Sequence, residues 1–106
     1  MNGRTILMLF FFTLCACSTH QYRIEGDHMT LILRYPDAKN VVLFCSLDGF
    51  KPRVAQKKST IWESELPAGE PFRYFYQVDG TPFVPDCPMK EKDDFGLENC
   101  IYDPFL

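Results

Sequence analysis

Residues 72–80 read Phe72-Arg73-Tyr74-Phe75-Tyr76-Gln77-Val78-Asp79-Gly80. Phe72, Tyr74, Tyr76 and Val78 recur at every second position, the period of a strand with one buried face. Arg73, Phe75 and Gln77 then fall on the opposite face. Asp79-Gly80 ends the run as a hairpin pair, because glycine enters the positive φ such turns need at no steric cost. A strand of this kind has to bury its aromatic face against a second layer.

Working outward, the neighbouring segments carry the same period. Val41 to Leu47 puts Val41, Leu43, Cys45 and Leu47 on one face and stops at Asp48-Gly49. His28 to Tyr35 alternates Met29, Leu31, Leu33 and Tyr35 against Thr30 and Arg34, with Ile32 on the second face, and Pro36 to Asn40 turns the chain. Thr60 to Leu66 sets Ile61, Glu63 and Glu65 against Trp62, Ser64 and Leu66, with Trp62 expected in the core. Lys51 to Ser59 is basic and fits a short edge strand plus loop, where lysines hinder edge-to-edge pairing. Thr81 to Val84 forms a short return arm. Pro82, Pro85 and Pro88 keep residues 81–88 out of any central strand. Met89 to Gly96 reads as charged loop and Leu97 to Tyr102 as the last strand. No window of about 11 residues repeats at helical spacing. About seven short strands in residues 28–103 predict a small all-β sandwich.

The amino end is of another kind. Met1 to Thr5 carries one positive charge, and Ile6 to Leu14 is an apolar run of nine residues. As a helix this run is roughly 14 Å long, about half of a ~30 Å hydrocarbon core, so it reads as a secretory signal and not as a span. Leu14-Cys15-Ala16-Cys17 resembles the bacterial lipobox. The resemblance implies cleavage before Cys17, acylation of that cysteine by diacylglycerol and palmitate-type chains, and anchoring in the cell envelope. Ser18 then favours the outer membrane where the host has two. The expected organisation is a signal at 1–16, a lipid-anchored tether at 17–27 with His20 an exposed linker histidine, and the sandwich at 28–106.

Once the signal is removed, 90 residues remain, with 10 Lys or Arg against 14 Asp or Glu. One domain of that size excludes a full α/β barrel, a two-half dinucleotide fold and most stand-alone hydrolase scaffolds. Its acidic balance, with no basic stripe, argues against a nucleic-acid partner. Cys45, Cys87 and Cys100 are left, and export permits a disulfide. Cys87–Cys100 is the preferred pairing, closing a 14-residue loop worth roughly 3 kcal/mol in chain entropy. Spacing alone leaves all three pairings open. Cys45 reads as a buried free thiol. Three scattered thiols lack the paired spacing of a zinc site.

Catalytic patterns are not apparent. Ser46, Ser59 and Ser64 have no nucleophile-elbow context, and His20 and His28 both lie near the amino end. Asp86, Glu91, Asp93, Asp94 and Glu98 raise the two-carboxylate chemistry of glycoside hydrolysis, but a solvated loop explains them better. They also miss the calcium-loop pattern, and no glycine-rich phosphate loop points to a cofactor. The expectation is a non-enzymatic domain.

Five pieces occur in a familiar order: Tyr35 to Val41, Leu43 to Phe50, Trp62 to Glu70, Tyr74 to Gly80, and Gly96 to Asn99. Over residues 28 to about 103 the chain resembles the glycogen-binding modules of the AMP-activated kinase β subunit. It is similar also to the N-terminal domains of isoamylase and branching enzymes. The resemblance implies an early-set immunoglobulin-like sandwich that holds α-glucan by aromatic stacking. Of the family's two platform tryptophans, one falls at Phe50, while Phe83 lies one residue past the place of the other. The sugar-bonding asparagine becomes Asn99. The lysine beside the sugar is replaced by Phe75. Phe50, Phe75, Phe83 and Asn99 are therefore the candidate ligand-binding residues. The other class consistent with this sequence is an envelope interaction module that docks a partner protein and binds no sugar.

Overall fold

The computed structural model describes residues 19–106. The expected signal at 1–16 and Cys17, the expected acylation site, lie outside the described residues. Among the described residues ten strands form two sheets: β1 (His20–Glu25), β2 (His28–Arg34), β3 (Val41–Cys45), β4 (Arg53–Val54), β5 (Gln56–Lys58), β6 (Ile61–Pro67), β7 (Phe72–Val78), β8 (Thr81–Phe83), β9 (Lys90–Lys92) and β10 (Glu98–Tyr102). One sheet runs β1-β2-β6-β5. The other runs β4-β3-β7-β10-β9, and β8 also pairs with β7. The domain is an all-β, immunoglobulin-like sandwich.

The period-two patterns sort the side chains as expected. Met29, Leu31 and Leu33 of β2, Val41, Leu43 and Cys45 of β3, and Trp62 and Leu66 of β6 meet Phe72, Tyr74, Tyr76 and Val78 of β7 in one core. Trp62 also donates its indole N–H to the Tyr35 carbonyl at 3.0 Å, so burial leaves its one polar atom bonded. Strand β7 is the axis of its sheet. Along one edge it pairs with β3, from Val41↔Val78 to Cys45↔Tyr74. Along the other edge β10 takes residues 72–74 and β8 takes residues 76–78.

Three segments differ from the sequence expectation. Residues 20–25, placed in the tether, are strand β1, paired with β2 from His20↔Leu33 to Glu25↔His28. The hydrogen-bonding demand of the β2 edge orders a segment whose own pattern is polar. His20 is consequently buried, not exposed in a linker. The basic segment holds two strands, not one: β4 pairs with β3, β5 pairs with β6, and the chain changes sheets at the buried Ala55. The charged loop after Met89 contains β9, paired with β10 from Glu98↔Lys92 to Cys100↔Lys90.

Cys87 and Cys100 form a disulfide. Cys45 is a buried free thiol, and burial pushes its pKa up, which keeps it protonated.

Candidate functional site

The outward face of β3, β7 and β10 is where the candidate residues meet. Register does the positioning. Phe44 on β3 lies directly opposite Phe75 on β7. Cys100 pairs with Tyr74, so Asn99, one position earlier on β10, falls beside Phe75 on its other flank. Asn99 is in turn paired with Glu91 of β9. Phe44, Phe75, Asn99 and Glu91 thus form one row across four strands. In the next row Gln77 of β7 faces Pro82 of β8.

The rings of Phe44 and Phe75 stack with centroids 5.1 Å apart and planes 10° apart. Phe50 extends them, its ring 6.2 Å from that of Phe75. Phe50 reaches this position through a tightly specified turn. After the 3-10 turn Ser46–Asp48, Gly49 and Phe50 take φ of 74° and 63°, and the Phe50 N–H donates to the Cys45 carbonyl at 2.8 Å. Asp48 accepts from Arg53 Nε at 2.7 Å and from the Lys51 N–H at 3.1 Å. The Arg53 guanidinium holds the Asp48 carboxyl below the usual carboxylate range. A phenylalanine at positive φ is costly for a bulky side chain and persists only where surrounding contacts impose it. Here the Asp48 contacts impose it, and they present the ring to the outer face.

Beside the rings lies a groove of about 330 Å³, lined by Phe44, Phe75, Gln77, Pro82, Asn99 and neighbouring residues of the β9–β10 turn. Among the described residues the Gln77 and Asn99 side-chain amides make no hydrogen bond, although Asn99 is only 7% exposed. Asp93 shapes the far rim, its carboxylate accepting from the Phe95 and Leu97 N–H groups at 2.8 and 3.0 Å. Glu91 forms an ion pair with Arg73. These two members of the acidic segment are therefore occupied in holding the loop and β9 in place. Among the described residues no group of three or more potential ligands could hold a metal ion.

Phe50, Phe75 and Asn99 come together on this face. Phe83 does not. It pairs with the inward-facing Tyr76, and its ring packs edge-on against Tyr35 at 5.4 Å. A one-residue shift along a strand reverses the face, so Pro82 occupies the outward position sought for Phe83. Phe44, Gln77 and Pro82 also line this face and are not among the candidates read from the sequence. Phe44 was legible in part, since it stands in the outward phase of β3. That it meets Phe75 depends on inter-strand register, which that single strand does not reveal.

The arrangement offers a short aromatic wall with two uncommitted amides at its side. Such a surface can stack on an apolar C–H face while donating to and accepting from hydroxyl groups. Fold and face together define a small, disulfide-bonded immunoglobulin-like domain with an aromatic–amide groove on one sheet. The chain matches no protein-family model and no curated protein sequence.

Proposed function

We propose that this chain is a non-catalytic, lipid-anchored domain of the cell envelope, of the early-set, glycogen-binding-module type, that binds α-glucan on the outer face of β3, β7 and β10. The observation that carries the sugar reading is the meeting of the Phe44–Phe75 stack with the uncommitted amides of Gln77 and Asn99 in one groove. A pyranose needs both an apolar contact for its C–H face and polar partners for its hydroxyls. The anchor rests on the lipobox-like Leu14 to Cys17, with acyl chains worth about 0.8 kcal/mol per buried CH₂ holding Cys17 at the bilayer.

Calorimetric titration of residues 18–106 with maltoheptaose tests the sugar reading. Binding heat is expected, and Phe75→Ala should weaken affinity at least tenfold, about 1.4 kcal/mol. No heat, together with no retardation in a glycogen affinity gel, overturns it. One observation favours the second reading, a protein partner: Leu97 on the groove rim is 63% exposed, apolar area beyond what a single sugar ring would cover. Retained binding to an envelope extract that free glucan cannot compete away would select that reading.

A further inference from the structure

A second apolar surface lies on another side of the molecule, along β1. Two shallow grooves of about 520 and 490 Å³ adjoin there, sharing Tyr22, Tyr102, Asp103 and Leu106. Tyr22 and Ile24 stand in the same strand phase as the buried His20, yet they are 51% and 48% exposed, and Leu106 is 85% exposed. The Tyr22 ring meets Tyr102 edge-on at 5.3 Å across the open side of the sandwich. Inward-phase residues left half in solvent mark a face that the domain does not cover itself.

The chain reaches this face from its amino end. Two residues, Ser18 and Thr19, separate Cys17 from His20, a span of about 11 Å at most. Ile24 lies roughly 14 Å further along the strand. A tether of eleven residues would have let the domain move freely above the bilayer. Because β1 takes up residues 20–25, only Ser18 and Thr19 lie between it and Cys17, which would hold the amino end of β1 close to any acyl chains on that cysteine. Confinement at that range raises the effective concentration of the membrane at the patch. Neither groove is lined by Lys or Arg, while Asp27, Asp86 and Asp103 stand at their edges. The chemistry therefore suits apolar and tyrosine contact with a neutral interface, not attraction to anionic headgroups.

We infer that the β1 side of the sandwich, through Tyr22, Ile24 and Leu106, rests on the zwitterionic surface of the bilayer that holds the Cys17 acyl chains. This rests on the reading of Cys17 as the acylated residue. It fixes the orientation of the domain on the membrane. The far side, with β4 and β5, then points to solvent.

The test uses the acylated full-length mature protein reconstituted in phosphatidylcholine vesicles, with single tryptophans added by Ile24→Trp, Leu106→Trp and, on the far side, Val54→Trp. Val54 is 84% exposed and serves as the solvent reference; the buried Trp62 contributes a constant background. Quenching by brominated phosphatidylcholine should be at least threefold stronger for residues 24 and 106 than for residue 54. Added phosphatidylglycerol should not increase it. Equal quenching at all three positions overturns the inference. So does a residue-24 signal that is blue-shifted yet unquenched by lipid and grows with protein density, which would mean a second copy covers the patch. Mass spectrometry of the amino-terminal peptide reports acylation separately. If Cys17 carries no lipid, the same chain coupled there to a maleimide lipid repeats the quenching measurement, so loss of the natural anchor and failure of the patch remain distinguishable.

Discussion

His20 concentrates the most physical chemistry at a single position. Its ring stacks on Tyr74 with centroids 5.5 Å apart, and its Nε2 shares a hydrogen bond of 3.2 Å with the Tyr76 hydroxyl. Burial lowers its pKa from 6.5 to about 4, since desolvation disfavours the charged imidazolium. Between those two values the unfolded chain holds a proton that the folded one does not, so stability rises with pH across that window. The contribution is complete above pH 6.5, falls progressively toward pH 4 and is lost below it; the 2.5-unit shift corresponds to on the order of 3 kcal/mol. Urea midpoints at pH 7.5 and 4.5 should differ in the natural protein by more than in His20→Gln, whose side chain does not titrate. Equal differences would remove His20 from this role. The local pattern around His20 points to an exposed linker, because nothing in it announces a strand. Only pairing with β2 carries it into the core.

Among the elements, the turns do more of the fixing than their composition suggests. Asp79, in the β7–β8 turn at φ 49°, accepts from the Lys39 and Asn40 N–H groups, both at 2.8 Å. Its own N–H donates to the Asn40 carbonyl at 2.9 Å. One side chain thus clamps the turn between β2 and β3 to the end of β7, next to the Val41↔Val78 pair. Asp79→Ala removes two bonds to a charged acceptor and should lower unfolding free energy by about 1.5–3 kcal/mol, with Asp79→Asn recovering part of it in chemical denaturation. The hairpin at Asp79-Gly80 was legible from the dipeptide alone. The clamp across to Lys39 and Asn40 was not, because it joins residues about forty positions apart. Phe83 has a local cause instead. The return arm is a short strand, and the two-residue Asp79-Gly80 turn that pairs Val78 with Thr81 sets Phe83 opposite the inward-facing Tyr76, only seven positions away.

For the molecule as a whole, the Cys87–Cys100 disulfide ties the β9–β10 segment to the body of the sandwich. Asn99 is next to one of its cysteines, and Asp93 and Leu97 lie inside the closed loop. Reduction should lower stability by about 3 kcal/mol by freeing that loop in the unfolded chain, read as a shift in denaturant midpoint with and without a phosphine reductant. It should also weaken any ligand held by Asn99 before the domain unfolds. Cys45 should stay unalkylated under native conditions, since it is buried and its thiol is kept protonated. Local alternation is enough to specify the two-layer architecture, the inward set of β2, β3, β6 and β7, and the outward phase of Phe75. Period-two alternation is a local property, and in a small domain it leaves one way to bury so many alternating aromatics. Only tertiary pairing set the contact of Phe44 with Phe75, the place of Asn99 beside it, and the conversion of the expected tether into β1. Each of these depends on which strand edge finds which partner, and in what register. Those choices follow from satisfying backbone hydrogen bonds between distant segments.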